Sequence, residues 1–166
     1  MNEQEYQKVL DAPSEGLKVR GFYRVKIVDP ETGETCGDSL WNQNVVTDLG
    51  FNQYLCMTLG SSSGSKYISH VGLGTGGAPA TNATTLPNEV GTRQAVTFAT
   101  SSSSKTARFT ATFAAGWHTS ASAHAISNIG LFNSSSTGTL FAGNTYASSS
   151  CASNQAVNVT YDVIFS

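Results

Sequence analysis

Apolar and polar positions alternate most regularly at the C-terminal end of the chain. Val157, Val159, Tyr161, Val163 and Phe165 fall on one side of an extended segment, and Asn158, Thr160 and Asp162 on the other. The same period of two runs through 18–28. There Val19, Tyr23, Val25 and Ile27 share one face, while Lys18, Arg20, Phe22, Arg24 and Lys26 share the other. It returns at 106–113, where Ala107, Phe109, Ala111 and Phe113 alternate with Arg108, Thr110 and Thr112. Further strands are predicted at 34–41, 67–73, 94–100, 125–132 and 139–142, bounded by Ser-, Gly- and Thr-rich turns. Between the first two lies Asp29-Pro-Glu-Thr-Gly33. Proline presets φ, aspartate offers a local acceptor and glycine closes the turn, so 18–28 and 34–41 should form a hairpin. A second hairpin is expected across 101–104.

One segment has helical spacing. Over 48–59, Phe51, Tyr54, Leu55 and Leu59 make a single stripe, Thr47 or Asp48 can cap the start, and Gly60 ends it. Residues 1–17 show little apolar periodicity and include Pro13 and Gly16. They read as an extended N-terminal arm with room for a short helical turn at 3–10. The pattern therefore predicts an all-β chain: an antiparallel β-sandwich, jelly-roll-like, of about eight strands with one short helix. The arm occupies 1–17 and a single sandwich domain 18–166, a division that suits 166 residues.

Composition sharpens this picture. Net charge is -2 and charged residues make up only 12% of the chain, against about 25% in an average globular protein. Strong electrostatic attraction to nucleic acid or to an anionic membrane is excluded as the main driving force. No apolar run approaches a membrane span, and the N-terminus has neither the basic nor the apolar region of a secretory signal. The three cysteines, Cys36, Cys56 and Cys151, include no C-x-x-C pair and are expected as reduced thiols, mostly buried.

Each candidate motif fails on its context. Residues 72–77, GLGTGG, match the spacing of a dinucleotide loop, but no helix follows to aim its N-terminus at a phosphate; the run is expected to turn a strand into a long loop. Residues 60–64, GSSSG, match a nucleophile elbow but lack the preceding strand. His70, His118 and His124 form no ligand-spaced cluster, so neither metal nor cofactor is expected. Acids beyond residue 48 are limited to Glu89 and Asp162, which leaves no carboxylate pair for glycoside hydrolysis. Trp41, Trp117 and His118 could stack on sugar, though buried aromatics are the commoner fate. Lys18, Arg20, Arg24 and Lys26 form a basic stripe: first a solvated or internally paired face, then a docking surface for an acidic partner protein, and least a nucleic-acid contact, which the negative net charge opposes.

The order of pieces carries a resemblance. Residues 45–50, VVTDLG, lead into the helix; 67–80, YISHVGLGTGGAPA, and 84–89, TTLPNE, follow with Arg93; then come IGLFN at 129–133, GTLFA at 138–142 and the alternating last strand. This resembles small β-rich virion structural proteins of tailed bacteriophages, found among capsid decoration, head-fibre and tail-associated components. Such proteins often carry an acid just before the Ile-Gly-Leu-Phe piece, where this chain has Asn128. The resemblance implies a non-enzymatic virion structural role and a symmetric homo-oligomer, with a trimer favoured, and leaves the place in the virion open. The leading expectation is a capsid decoration or cement protein, assembled in the host bacterial cytoplasm. The arm and Lys18, Arg20, Arg24 and Lys26 would dock on the major capsid protein. The first alternative is a tail, baseplate or fibre component binding the host surface through an exposed loop region of Gly74, Thr75, Gly76, Gly77, Trp117 and His118; the second is a carbohydrate-binding module.

Overall fold

The computed structural model describes residues 1–11, 19–50, 67–101, 106–120 and 122–165. Two antiparallel sheets face each other across one core. The larger contains β1 (Val19–Val28), β2 (Thr35–Asp38), β3 (Asn42–Gln43), β7 (Thr97–Ser101), β8 (Thr106–Phe113) and β11 (Ala156–Phe165), in the order β2-β1-β11-β8-β7 with β3 also on β1. The smaller contains β4 (Val45–Val46), β5 (His70–Gly74), β6 (Glu89–Ala95), β9 (His124–Phe132) and β10 (Leu140–Cys151), ordered β4-β10-β9-β5-β6. The antiparallel β-sandwich expected from the alternation is thus the observed fold.

The faces read from sequence are the observed ones. Tyr23, Val25 and Ile27 of β1, Val157, Val159, Tyr161 and Val163 of β11, and Phe109 and Phe113 of β8 enter the core. They meet Val71 and Leu73 of β5, Ile126, Ile129 and Leu131 of β9, and Phe141 of β10. The two buried tyrosines in this group find partners: the Asn44 amide donates to the Tyr161 hydroxyl at 2.5 Å, and the Tyr23 hydroxyl donates to the Thr145 carbonyl. The first hairpin closes as its turn chemistry requires. Asp29 accepts from the amides of Glu31 and Thr32 at 2.8 and 3.0 Å, and Gly33 takes a φ of 74°. Thr47 caps the start of α2 (Asp48–Gly50), accepting from the Gly50 amide at 2.9 Å. The rest of the helix expected over 48–59, the loop at 60–64 and the turn at 102–104 lie outside the described residues.

Three expectations need correction. The return strand of the first hairpin is shorter than 34–41: it stops at Asp38, and Leu40 takes a φ of 57°. The strand expected at 94–100 is two. β6 pairs with β5 in the smaller sheet, and the chain crosses at Val96 to pair as β7 with β8 in the larger. Most consequentially, the described part of the N-terminal arm is not extended. Residues Glu3–Asp11 form α1, and its Tyr6 is buried against the outer face of the larger sheet.

Candidate functional site

The outer face of the larger sheet holds the basic stripe. Asn2 and Glu5 form a reciprocal capping box at the start of α1, each side chain accepting from the other's amide at 2.8–2.9 Å. This fixes the helix so that the Tyr6 ring stacks on Trp41 at 4.2 Å and 5° and meets Phe22 edge-on at 5.4 Å. Ile164 completes the cluster, the Trp41 indole donates to Glu3 at 2.9 Å, and the Met1 amino group donates to the Trp41 carbonyl at 2.8 Å. Beneath it, the fully buried Asp162 accepts a hydrogen bond from the Tyr6 hydroxyl and two from Arg108, at 2.8 and 2.6 Å. Burial, then the bond to Asp162, raises the Tyr6 hydroxyl pKa; the bond to Asp162 raises that of Arg108.

The stripe itself is partly consumed within the chain. Arg24 grips Asp38 with two hydrogen bonds, at 3.0 and 2.6 Å, and lies 3.7 Å from Glu3. The bonds to Arg24 hold the Asp38 carboxyl below the usual carboxylate range. Lys26 stands opposite Asp38 in the β1–β2 register, Arg20 is half-buried, and Lys18 lies outside the described residues. Of the readings for this stripe, the internally paired one holds for Arg24.

Beyond α1 the same face is neutral. Thr97, Thr110 and Thr160 form one cross-strand row ending at Arg24, and Thr112 and Asn158 form the next, ending at Lys26. Together with Ala95 they line a shallow depression. Among the described residues from 67 onward, every Lys, Arg, Asp and Glu is ion-paired within the chain: Arg93 with Glu89 and Arg108 with Asp162, each at 2.6 Å.

The outer face of the smaller sheet is covered by the loop expected after 72–77. Leu86 from that loop packs on Phe132 and Leu140. Glycines make the space: a Cβ on Gly130 would sit 2.6 Å from Leu140 Cδ1, and one on Gly143 would sit 2.6 Å from the Ile129 carbonyl oxygen and 3.1 Å from Pro79. Arg93 fastens the far end. Its guanidinium lies 3.4 Å from the centroid of the Phe132 ring and donates to the carbonyls of Ser134 and Thr137 at 3.2 and 2.9 Å.

The predicted exposed recognition region divides in two. Thr75 and Gly77 are exposed, Gly76 is half-buried and Gly74 is buried. The buried Asn128 amide ties this loop down, donating to the carbonyls of Gly77 and Pro87 at 3.0 and 2.9 Å. A carboxylate in that position could not donate, which gives the departure at Asn128 a physical consequence. Trp117 and His118 are not exposed, and this corrects the expectation. Trp117 packs edge-on against Phe113 at 5.0 Å and lies over Gly91; the His118 ring meets that of His124 at 4.8 Å. Among the described residues, no hydrogen bond of good geometry reaches either ring nitrogen of His118, although the Cys151 and Ala152 carbonyls act on the ring. Burial, then the neighbouring His124, lowers its pKa. Trp41 lies under Tyr6, so Trp41, Trp117 and His118 present no sugar platform. Cys151 is buried as expected, Cys36 is exposed against expectation, and Cys56 lies outside the described residues.

The short helical turn expected at 3–10 is α1, with the capping box Asn2-Glu-Gln-Glu5 as its start signal; what sequence reasoning missed is that Tyr6 packs this helix onto the sheet. Sequence reasoning also missed Arg93 and Asp162 as structural anchors, because their partners come from distant segments. Among the described residues, no group of three or more His, Cys, Asp or Glu could hold a metal ion, and no helix is long and apolar enough to cross a membrane. The fold and its faces define the chain as a two-sheet antiparallel sandwich with both outer faces partly roofed. No protein-family model matches it, and no curated protein or solved structure does either.

Proposed function

We propose that this chain is a non-enzymatic bacteriophage virion structural protein, a capsid decoration or cement protein that docks on the major capsid protein as a homo-oligomer. The observation that carries the reading is the disposition of charge. Among the described residues from 67 onward, the charged side chains are paired within the chain, and the sheet face beyond α1 is made of Thr and Asn. A surface of neutral hydroxyls and amides suits repeated packing against neighbours, since it carries no like-charge penalty when copies crowd on a shell. The resemblance carried by the order of motifs, over residues 41–166, supports the same class. Weak contacts repeated over a particle add up by multivalency.

On this reading, docking falls on the sheet face and not on the arm. Because Tyr6 buries α1 on its own sheet, the contact proposed for the capsid protein is the Thr and Asn rows, with Arg24 and Lys26 at their ends, in place of a loose arm. Mass-spectrometric copy number in purified particles of the virus that encodes the chain tests the reading. Hundreds of copies per particle are expected. A handful would place the protein in the tail, with the Thr75–Gly77 loop as its contact, and absence from particles would overturn the virion assignment.

A further inference from the structure

A strand at the end of a sheet presents unpaired amides and carbonyls to any other strand, and proteins blunt such edges with charge, short length, bulges or a cover. Among the described residues the sandwich ends on β2 and β3, β4, β6 and β7. Four of these five are blunted. β2 has four residues, a register break against β1 at Ile27/Val28, and Asp38 at its end. β3 and β4 have two residues each. β6 carries Glu89 and Arg93, breaks register with β5 between Val71 and Leu73, takes a φ of 65° at Gly91, and has Trp117 against that glycine.

Among the described residues, β7 has none of these devices. Its sequence, TFATS, has no charge, glycine or proline, and it pairs with β8 residue for residue from Thr97↔Thr110 to Ser101↔Thr106. Phe98 is 57% exposed, although its ring lies only 5.4 Å from that of the core residue Phe109. An aromatic ring at the rim of the core, on a regular edge, is half of a contact.

We infer that β7 is a homotypic docking edge, on which β7 of a second copy pairs antiparallel across a two-fold axis to join two larger sheets into one. The occupant follows from the chemistry of the strand. An antiparallel pair about a two-fold axis is self-complementary, so every group on the edge must tolerate its own image. A charged edge fails that condition and TFATS meets it. A two-fold axis perpendicular to the sheet keeps both Phe98 rings on the core-side face, where each covers the other strand's margin. The contact closes at two copies, which puts a dimer where the resemblance implied a trimer. It goes beyond the virion reading and needs no particle to be tested.

The experiment is light scattering on the purified full-length chain and on Phe98→Lys, with hydrogen exchange read at the β7 amides and circular dichroism reporting the fold. The mass of two copies is expected for the unaltered chain, with the outward amides of β7 protected. In Phe98→Lys the mass should fall to one copy and that protection should be lost, with the spectrum unchanged. A single-copy mass for the unaltered chain, an assembly of three, or a dimer that survives Phe98→Lys with unprotected β7 amides would each overturn the inference. Should Phe98→Lys lose its fold, Ala99→Lys, exposed on the outward face at the middle of the same strand, gives the same reading through like charges beside the axis. Copy number in particles is independent of all these outcomes, so this inference and the virion reading fail separately.

Discussion

On the outer face of the larger sheet, α1 is held by side chains that the strands add: Phe22, Ile164, the Asp162 carboxylate and the adjoining Trp41. On the outer face of the smaller sheet, a loop is held where side chains are missing, over Gly130 and Gly143, with Leu86 as its apolar anchor. The first arrangement depends on a buried charge that must stay paired. The second depends on space that must stay empty. Their failure modes therefore differ, and substitutions can separate them.

The largest effect is expected at the charge. Arg108→Ala leaves Asp162, fully buried, with the Tyr6 hydroxyl as its remaining named partner, and should cost about 3–5 kcal/mol in urea unfolding. Adding Asp162→Asn removes the stranded charge and should recover most of the loss. If Arg108→Ala unfolds like the unaltered chain, the face is held by α1 packing alone. Next comes the loop's anchor. Leu86→Ala should cost about 2–3 kcal/mol, the low end for a buried leucine because a loop can settle into the gap. Hydrogen exchange should quicken at the Leu140 amide, which donates to the Thr84 carbonyl at 3.2 Å, and stay unchanged in α1. Gly130→Ala tests the empty space directly. The new methyl would fall 2.6 Å from Leu140 Cδ1 and 3.2 Å from the Phe132 ring, and overpacking of this kind costs about 1–3 kcal/mol. A neutral or stabilising result would show that Leu140 can turn aside and that the glycine is not required there.

The smallest effect is a pH dependence that belongs to neither roof. His118 is buried beside His124, and its folded-state pKa lies below the ordinary histidine value, with the Cys151 and Ala152 carbonyls opposing the shift. The unfolded chain then takes up the proton first. The stability from keeping this ring neutral is complete above about pH 6.5 and is lost as pH falls from there through the lowered folded value. His118→Phe should flatten that part of the stability profile. An unchanged slope between about pH 6.5 and 5 would assign it to His70, whose pKa is also lowered by burial and, secondarily, by Arg93.

Legibility followed the range of the interaction. The core faces of β1, β8 and β11 were readable because alternation is a local property of an extended chain. The turn at Asp29 was readable because its hydrogen bonds span two to five residues. The candidate surfaces were legible only in part. The basic stripe was placed on the correct face, but its pairing with Asp38 needed the hairpin to break at Ser39 and Leu40. Trp117 and His118 looked like loop residues and are loop residues, yet Phe113, Gly91 and His124 close around them.

What the sequence determined by itself is the class of fold, the faces of its strands, the position of its first hairpin and the scarcity of charge. Each is written in the period, the turn residues or the composition. Only the tertiary structure decided how those strands are ordered, that α1 roofs one sheet and the 75–88 loop the other, and that β7 is the unblunted edge among the described residues. The physical reason is distance along the chain. Tyr6 and Asp162 are 156 residues apart, and Asn44 and Tyr161 are 117 apart. Such contacts form only after the intervening chain has folded back, and nothing in the local pattern specifies which distant partner will arrive.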